Sequence, residues 1–413
     1  MSSSAPGSDP NQAAAIPVPA RQGLFTLGVL SALMAFASIS TDVYLPALPA
    51  MALALNAGHG AMELTISGYL IGFSLGQLAW GPISDRYGRR LPVAIGLVLF
   101  IIGSVGCALS GSVGTMIAWR VLQAVGACAS VVLARAMVRD LYAGPQAARM
   151  MSTLMTVTAI APLIGPAVGS LILQAASWRA IFWALVGVGI VTLAALRRLP
   201  ETLPAERRNP RALDGALSIY ASLLGQRPIL AYMGTGGFFY GGIYAYVAGT
   251  PAAYISYHHM SPQAYGVLFS LGIVGIMLSN QVSSRLVLKL GSDRLMRIGA
   301  LSAAASGLLL AVTAGFDIGG VAGLALPLFV FVAANGLIVA NAIAGALTGY
   351  GERAGAVSAL VGAAHYGTGI LGSALVGLLA DGTPWPMGLI IAVCGVGCAL
   401  SALSVPRRDM GQA

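Results

Sequence analysis

Charged side chains are scarce in this chain: Asp, Glu, Lys and Arg together make up 8% of its 413 residues. A typical soluble domain carries about 25% charged and about 45–50% apolar residues. This chain is 57% hydrophobic and has a mean hydropathy of +0.84. A water-soluble core cannot bury that much apolar surface, so the composition predicts that lipid surrounds most of the chain.

The sequence also lacks patterns for catalysis, metal binding and disulfide bonding. Its four cysteines lie inside apolar segments, and the one close pair, Cys394 and Cys398, has no His, Asp or Glu beside it. We therefore interpret the cysteines as small packing residues rather than as a metal site. There is no phosphate-binding GK[ST] loop and no nucleophile beside a base, so we predict neither an enzyme nor a bound cofactor.

Basic residues outnumber acidic ones, 22 against 13. Their distribution decides what this excess means, because the arginines occur in short clusters between apolar segments. Such clusters are typical of topology signals in membrane proteins and not of a nucleic-acid-binding surface. The distribution of basic residues therefore predicts that the chain interacts with the lipid bilayer and not with nucleic acid.

Apolar segments of spanning length recur along the whole chain. A membrane-spanning helix needs about 20 mostly apolar residues, and the 54 glycines would let such helices pack closely. We predict twelve spans, at residues 23–45, 61–81, 91–111, 114–138, 147–173, 177–197, 228–250, 262–284, 294–314, 319–345, 354–380 and 385–405. A polar stretch separates six spans from six. The sequence therefore predicts an all-α membrane protein with two six-helix halves, residues 23–197 and 228–405.

The segments outside the two halves are predicted to be a linker and two tails on one side of the membrane. Residues 1–22 are rich in Ser, Pro and Ala, which is typical of disorder. With the N-terminus placed in the cytoplasm, 20 of the 22 basic residues fall inside, and Arg120 and Arg179 are the exceptions. The positive-inside rule therefore places residues 1–22, the linker 198–227 and the tail 406–413 in the cytoplasm.

The segment GPISDRYGRR, Gly81–Arg90, is highly charged for this chain, and we predict a tight loop between spans 2 and 3. The second half contains an echo, SRLVLKLGSD, in which Gly291 corresponds to Gly88. The echo is degraded, since Leu288 stands at the position of Asp85. A six-plus-six bundle with a faint internal repeat is the plan of a transporter built from two related halves.

The same segment resembles the loop 2–3 pattern of the major facilitator superfamily, G-x-x-x-D-R-x-G-R-R, and the resemblance extends over nearly the whole chain. The matching residues are Gly81, Asp85, Arg86, Gly88, Arg89 and Arg90. The resemblance implies a latch that shuts the inner gate in the outward-open state. In it, Asp85 faces the N-terminus of span 11, and Asp140 pairs with Arg86 or Arg89. The alternative is a solvated turn that only sets topology.

Arg120 lies in the span-4 sequence WRVLQAVGA, about one turn into the membrane. A charge inside the membrane is costly, so we expect this side chain to face the bundle interior or a water-filled cavity. It resembles the superfamily's span-4 arginine, which implies a part in proton transfer. Snorkelling to the outer interface is the alternative.

Span 1 ends in STDVYLPALPAM, Ser40–Met51, which resembles the bicyclomycin-resistance branch of the drug:proton antiporters. LPET at Leu199–Thr202 and the pair Arg139-Asp140 fit the same branch. Asp42 is an acid placed within span 1, away from the inner ends of the spans. A carboxylate there could carry a proton or pair with a cationic drug. The alternative is an interfacial acid that caps the helix.

Span 5 contains IAPLIGPAVGSLI, in which Gly165, Pro166 and Gly169 resemble the G-P-x-x-G-G element of the same antiporters. Ser170 replaces the last glycine of that element. The proline would kink the helix and the glycines would permit close packing, which suits a helix that seals one face of a rocking bundle. A packing kink without a transport role is the alternative.

Several polar and aromatic side chains at membrane depth are candidates for lining a substrate cavity. Tyr240 and Tyr244 share one face of span 7, and Tyr246 is close to them in sequence. Ordinary packing, an interfacial aromatic belt or hydrogen bonding between helices is the alternative. The candidates are Tyr44, Gln77, Gln123, Phe239, Tyr240, Tyr244, Asn335, Asn341 and His365.

These features predict a monomeric transporter in the inner membrane of a bacterium that exports small lipophilic or antibiotic-like molecules. The proton gradient is the expected energy source, and the two halves rock about a central cavity. Asp42 takes up the proton, Arg120 shares in its transfer, and the latch gates the inner side. An exporter of a specific metabolite such as an amino acid and a membrane sensor that transports nothing are the alternatives.

Overall fold

The computed structural model describes residues 20–58, 60–142, 144–209, 216–348, 350 and 353–406. Within these ranges the chain is helical and forms no strand. This follows from the composition, because a helix satisfies its own backbone hydrogen bonds in lipid, where water cannot. The predicted tails at residues 1–22 and 406–413 lie mostly outside the described residues, as does part of the linker, residues 210–215.

The helices follow one another with short connections. The first half contains α1 (Ala20–Asp42), α2 (Leu48–Ala54), α3 (Leu64–Tyr87), α4 (Arg90–Leu109), α5 (Val113–Leu141), α6 (Gly144–Ala175) and α7 (Trp178–Leu196). The linker contains α8 (Ala216–Leu224). The second half contains α9 (Arg227–Pro251), α10 (Pro262–Leu290), α11 (Ser292–Gly315), α12 (Gly320–Ala333), α13 (Asn335–Leu347), α14 (Ala354–Leu378) and α15 (Trp385–Ser404).

Ten helical segments among the described residues are long and apolar enough to cross a membrane. One of them combines α12 and α13 in a single segment, Gly320–Leu347. Two further helices, α3 and α9, have 24 and 25 residues but are not among these ten segments. The all-helical membrane fold is therefore confirmed, and the count of twelve spans stays a prediction.

Two predicted boundaries are wrong. Span 1 ends at Asp42 rather than at residue 45, and a short 3-10 turn at Leu45–Ala47 leads into α2. Pro46 explains the early end, because it has no N–H to donate to the carbonyl of Asp42, four residues back. Span 10 runs close to its predicted bounds as one segment, Gly320–Leu347, with a single irregular residue, Ala334, between α12 and α13.

The other wrong boundary is that of the predicted loop Gly81–Arg90. Helix α3 continues through this segment to Tyr87, and the connection to α4 is only Gly88 and Arg89. Polar residues can extend a helix once it leaves the apolar layer, and Pro82 does not end it. The helix stops at Gly88, whose φ of +90° is a conformation that L side chains rarely adopt. Gly291 has a φ of +76° at the matching place after α10, so the internal echo extends to the backbone.

The two halves meet along two pairs of helices. Helix α3 packs against α14, and α6 packs against α10. The first pair is joined by the hydroxyls of Ser67 and Ser373, 2.8 Å apart, and by Ser74, which donates to the carbonyl of Ala363. The boundaries of the halves stay a prediction, but these contacts put the remaining polar residues of α1, α5 and α9 around a shared interior.

The bundle has two distinct ends. The end where α3, α5, α7 and α10 finish and α4, α9 and α11 begin carries most of the basic residues, and we call it the basic end. Contacts such as Arg90 with the carbonyl of Arg197 (2.7 Å) lie there. The opposite end contains the connections after α4, α6 and α14, where Arg179 donates to the carbonyl of Ser110 at 3.3 Å.

Candidate functional site

Arg120 lies at the centre of a fully buried polar cluster. Its guanidinium carbon is 4.3 Å from the ring centre of Tyr44 and 4.4 Å from that of Tyr69, so the cation is held between two aromatic faces. Its Nη1 donates to the carbonyl of Ser40 at 2.9 Å and to Oε1 of Gln123 at 2.6 Å. Helix α5 thereby fixes the end of α1 through a single side chain.

The remaining nitrogens of Arg120 show that this cluster is incompletely paired. Nε and Nη2 are buried and have no hydrogen-bond partner among the described residues. The side chain is 0% exposed, so it does not snorkel to the outer interface. No ion pair within 4 Å joins it to Asp42 in the described part of the chain. The geometry places Arg120 beside the proposed proton carrier but not in contact with it.

Asp42 is the last residue of α1 and is 7% exposed, so it is not an interfacial acid at the bundle surface. Thr41 Oγ1 donates to its carboxylate at 3.3 Å. From the other half, Tyr244 and Tyr265 lie within electrostatic range of the carboxylate. Asp42 therefore sits between the halves in a largely apolar setting, and no described residue forms an ion pair with it.

The glycine-proline element of α6 packs directly on Asp42. A Cβ atom at Gly165 would lie 2.9 Å from Cβ of Asp42, and one at Gly169 would lie 1.8 Å from the carbonyl oxygen of Val43. These glycines are thus required by close approach to the end of α1. The Ser170 hydroxyl lies 2.8 Å from the carbonyl oxygen of Pro166 and 3.0 Å from that of Pro262, so it also ties α6 to α10.

Aromatic rings from both halves form a layer at the same depth. Tyr240 stacks on His365 at 4.5 Å between ring centres, and Tyr366 lies 4.5 Å from Phe73 of α3. Tyr244 contacts both Tyr240 and Tyr366. We call these five residues the aromatic layer. The layer includes three predicted cavity residues, Tyr240, Tyr244 and His365.

Two cavities lie on either side of the aromatic layer. One, of about 490 Å³, is at the basic end and is lined by parts of α3, α5, α8 and α14, including Gln77. The other, of about 700 Å³, is at the opposite end and is lined by α2, the start of α3 and the loop after α14. Because Asp42, Ser67 and Ser373 lie between them, the two cavities are separated by a barrier that contains the buried carboxylate.

The other predicted cavity residues lie elsewhere. Tyr44 and Gln123 belong to the Arg120 cluster. Phe239 stacks on Phe331 inside the second half, and Tyr246 stacks on Phe269. Asn341 donates to Ser283 Oγ at 3.0 Å and to the carbonyl of Leu337, which is a hydrogen bond between helices. Asn335 is the first residue of α13, at the helix break, and lines neither cavity.

The charged residues after α3 form a compact cluster. Arg89 donates from Nη1 to Asp85 at 2.5 Å and from Nε to Asp140 at 2.8 Å, so it bridges the ends of α3 and α5. Arg86 lies outside this network, over the ring of Tyr87. Of the two pairings predicted for Asp140, the structure has the one with Arg89.

Asp85 does not bind the N-terminus of α14 in this structure. Its carboxylate faces the basic-end cavity, whose opposite wall includes Gly355 and Ser358 at the start of α14. In the described part of the chain no hydrogen bond joins Asp85 to α14. The basic-end cavity therefore separates the two sides of the predicted latch.

Glu201, noted above only as part of LPET, caps the beginning of α4. Its carboxylate accepts the backbone N–H groups of Arg89 at 2.8 Å, Arg90 at 3.1 Å and Leu203 at 3.0 Å. Burial raises the pKa of this carboxyl, but the three N–H groups and the charge of Arg208 outweigh it, so the pKa lies below its ordinary value of 4.5. The linker is thereby fastened to the turn that positions Arg89.

Sequence reasoning missed Tyr69, Tyr366 and the cap at Glu201. Each acts through a residue distant in sequence, and no local spacing marks such a contact. A usable signal was present for Glu201, since it is one of only 13 acids and follows a span directly. Tyr366 adjoins His365, a predicted cavity residue, so part of the aromatic layer could be predicted from the sequence.

Comparisons with known proteins agree with this architecture. The model of the Major Facilitator Superfamily matches residues 30–366. The uncharacterized MFS-type transporter YdgK of Bacillus subtilis is 36% identical over 94% of this chain and 96% of its own. A bicyclomycin resistance protein homolog of Haemophilus influenzae is 30% identical over 94% and 96%. A chloramphenicol resistance protein of Pseudomonas aeruginosa is 30% identical over 94% and 92%.

Solved structures share the fold at low sequence identity. The crystal structure of a D-xylose-proton symporter superposes with a TM-score of 0.72, covers 92% of this chain and 95% of that chain, and is 21% identical. Together with the family match and the long relatives, the arrangement of helices and the GPISDRYGRR segment lead to one assignment. This chain belongs to the Major Facilitator Superfamily and is related to its bicyclomycin-resistance transporters.

Proposed function

We propose that this chain exports small lipophilic or antibiotic-like molecules across the inner membrane of a bacterium, driven by the proton gradient. The observation that carries the proposal is the position of Asp42, a buried carboxylate in the barrier between two cavities. Resistance to bicyclomycin and chloramphenicol in the names of two long relatives supports an antibiotic-like cargo.

The orientation of the chain follows from its charges. We place the basic end in the cytoplasm, with both termini and the linker, because basic residues are retained on the inner side. The basic-end cavity then opens the route by which a cytoplasmic molecule reaches the aromatic layer. The opposite cavity is the exit, and a single chain contains both, so we expect the monomer to be active.

The proton can be coupled to this movement through the cost of burying charge. An unpaired carboxylate is expensive to enclose, and protonation removes that charge. We propose that Asp42 takes up a proton from the exit side, which lets the barrier close around it. Release of the proton to the cytoplasm then accompanies binding of the next substrate. Arg120 holds Ser40, two residues away, and so links its own cluster to the position of Asp42.

The inner gate is assigned to the cluster around Arg89. In the form described here Asp85 and the start of α14 lie across a cavity from each other. We propose that closure of this cavity brings the Asp85 carboxylate to the N-terminus of α14, where the helix dipole favours a negative charge. Asp140 keeps Arg89 in place beside Asp85 during this movement.

Transport by purified protein in proteoliposomes tests the proposal. A pH gradient should drive the movement of bicyclomycin or chloramphenicol, and the movement should stop when an ionophore removes the gradient. A panel of amino acids and other metabolites should be run in parallel. Transport of a metabolite but of no drug would show that the chain is a metabolite exporter instead. The absence of flux for every compound, with or without the gradient, would contradict the proposal that the chain is a transporter.

A further inference from the structure

We propose that the basic-end cavity selects cargo through Arg135, which receives a carboxylate or carbonyl oxygen, so that exported molecules are anionic or neutral rather than permanently cationic. The inference rests on the proposed function and names the substrate class of the same pathway. The inference stands on the geometry and charge of the basic-end cavity.

The cavity has the size and position of a small-molecule site. Its volume of about 490 Å³ falls within the range of ligand pockets, roughly 300–1,000 Å³. Its walls combine apolar residues such as Val132 and Ile219 with a few polar ones, among them Gln77 and Ser358. It ends below the aromatic layer, so an occupant would contact the barrier through which it must pass.

Positive charge predominates among the described residues that line the cavity. Three arginines and one acid line it: Arg89, Arg135, Arg139 and Asp85. Asp85 is ion-paired with Arg89, which also holds Asp140 outside the cavity. Arg135 and Arg139 form no ion pair within 4 Å in the described part of the chain. Among the described lining residues, a molecule entering the cavity therefore meets two cations without an ion pair and one carboxylate that is already paired.

Arg135 is the arginine that lies deeper in the bundle. It is half-buried, whereas Arg139 is exposed, one turn closer to the end of α5. Its Nε is enclosed and has no hydrogen-bond partner among the described residues. A buried donor without a partner is costly, and a rotation of the guanidinium toward the cavity would let a ligand oxygen satisfy it. Guanidinium groups bind carboxylates with two parallel hydrogen bonds, which suits an oxygen-bearing cargo.

The surroundings of Arg135 fit the rest of such a molecule. The guanidinium lies within electrostatic range of Tyr240 and Tyr366, both in the aromatic layer. An acceptor group bound at Arg135 would therefore place an apolar or aromatic body against these rings. The carboxylate that could attract a cation, Asp42, lies in the barrier and not on the cavity wall. Arrangement and charge thus favour an amphiphile with an oxygen acceptor.

Three probes with one aromatic skeleton test the inference directly. Binding of naphthalene-2-carboxylate, naphthalene-2-carboxamide and 2-naphthyltrimethylammonium to the full chain in nanodiscs is measured by calorimetry. We expect the carboxylate and the carboxamide to bind at least about tenfold more tightly than the ammonium compound, as one charged hydrogen bond allows. Equal or tighter binding of the ammonium compound would overturn the inference.

Variants assign the preference to one side chain. Arg135→Gln should weaken carboxylate binding by about tenfold and remove the discrimination, whereas Arg135→Lys should keep part of it because the charge remains. Arg149→Gln, at an exposed arginine of the same end, is the matched control and should change nothing. If Arg135→Gln does not fold, the lysine variant and the wild-type probe series still decide. Unchanged discrimination in the folded Arg135 variants would contradict the assignment.

The outcomes separate this inference from the proposed function. Proton-driven export together with a preference for the cationic probe would retain the exporter and reject the role of Arg135. Selective binding of the carboxylate without any proton-driven flux would retain the binding site and reject the exporter.

Discussion

Arg120 shows how one buried cation can organise a membrane bundle without a carboxylate partner. Two tyrosine faces at 4.3 and 4.4 Å and two hydrogen bonds from a single nitrogen stabilise the charge. Cation–π contacts contribute about 0.5–2 kcal/mol each, which offsets part of the cost of burial. The Nε and Nη2 of Arg120 have no hydrogen-bond partner among the described residues, so they can donate to a proton-accepting group that moves next to them.

The first prediction concerns this side chain. Arg120→Lys should abolish proton-driven transport while the protein still folds, because an ammonium cannot lie flat between Tyr44 and Tyr69 and reach Ser40 as well. Transport in proteoliposomes and the thermal midpoint in detergent are the measurements. Arg179→Lys, at an exposed arginine of the opposite end, is the control and should transport normally. Full transport by Arg120→Lys would remove Arg120 from the mechanism.

Residue-level prediction from the sequence succeeded in part. A lone arginine and a lone acid in apolar spans predicted that Arg120 and Asp42 face the bundle interior, and both are buried. Their partners were not predictable, because Tyr69 and Gly165 come from other helices and only the packing brings them near. Phe239 and Asn341 had the right depth but point into helix contacts, since depth alone does not give the facing direction.

At the scale of the element, α6 packs closely on the end of α1 because the glycines at the contact have no side chain. The predicted kink and close packing at Gly165–Gly169 have a definite counterpart here, the backbone of Asp42 and Val43. Spacing in the sequence identified the motif, but it could not identify the surface on which the glycines pack.

The second prediction tests that contact. Gly169→Ala should cost about 1–3 kcal/mol of stability, because its Cβ would lie 1.8 Å from a backbone oxygen that cannot rotate away. Thermal unfolding in detergent and pH-driven transport should both fall. Gly187→Ala in α7 is the control, since a Cβ there meets nothing within 4 Å. Equal stability and equal transport in the two variants would show that the backbone near Val43 can move enough to accept a Cβ atom at position 169.

The third prediction concerns the cap of α4. Glu201→Gln should destabilise the protein by about 0.5–1 kcal/mol near neutral pH, because a carboxylate at a helix N-terminus is replaced by a weaker acceptor. The pKa of Glu201 is lowered in the folded state, so its contribution is present above pH 4.5 and is lost as the pH falls through the lowered value.

Unfolding by denaturant across a pH series measures this effect. The difference in stability between the wild type and Glu201→Gln should shrink as the solution is acidified. Glu206→Gln, at an exposed acid five residues on, should behave like the wild type throughout. A difference that stays constant from neutral to acid pH would assign the effect to shape rather than to charge.

Helix positions were largely predictable from runs of apolar residues, and the failures have physical reasons. The extension of α3 through Asp85 was missed because polar residues end an apolar run without ending a helix. The single irregular residue Ala334, inside the span Gly320–Leu347, was not predicted because neither a proline nor a glycine occupies that position. Two residues on, Gly336 lies against the backbone of Asn280, a close tertiary contact that spacing does not reveal.

At the scale of the whole molecule, the halves enclose two cavities and one barrier. Asp42, the aromatic layer and the helix pairs α3–α14 and α6–α10 all meet at that barrier. Movement of one half against the other would open one cavity and close the other, which is alternating access. The sequence predicted this plan through its six-plus-six pattern and its charge asymmetry. It could not predict which side is open, because the states of an alternating-access cycle share one sequence.

The fourth prediction addresses proton coupling, the central claim, and requires one measurement: proton release into the medium when substrate is added to purified protein in lightly buffered detergent solution. The wild type should release protons on binding, and Asp317→Asn, at an exposed acid of the opposite end, should match it. Asp42→Asn should bind substrate, release none and support no pH-driven transport. Proton release and coupled transport at the wild-type level in Asp42→Asn would contradict the account.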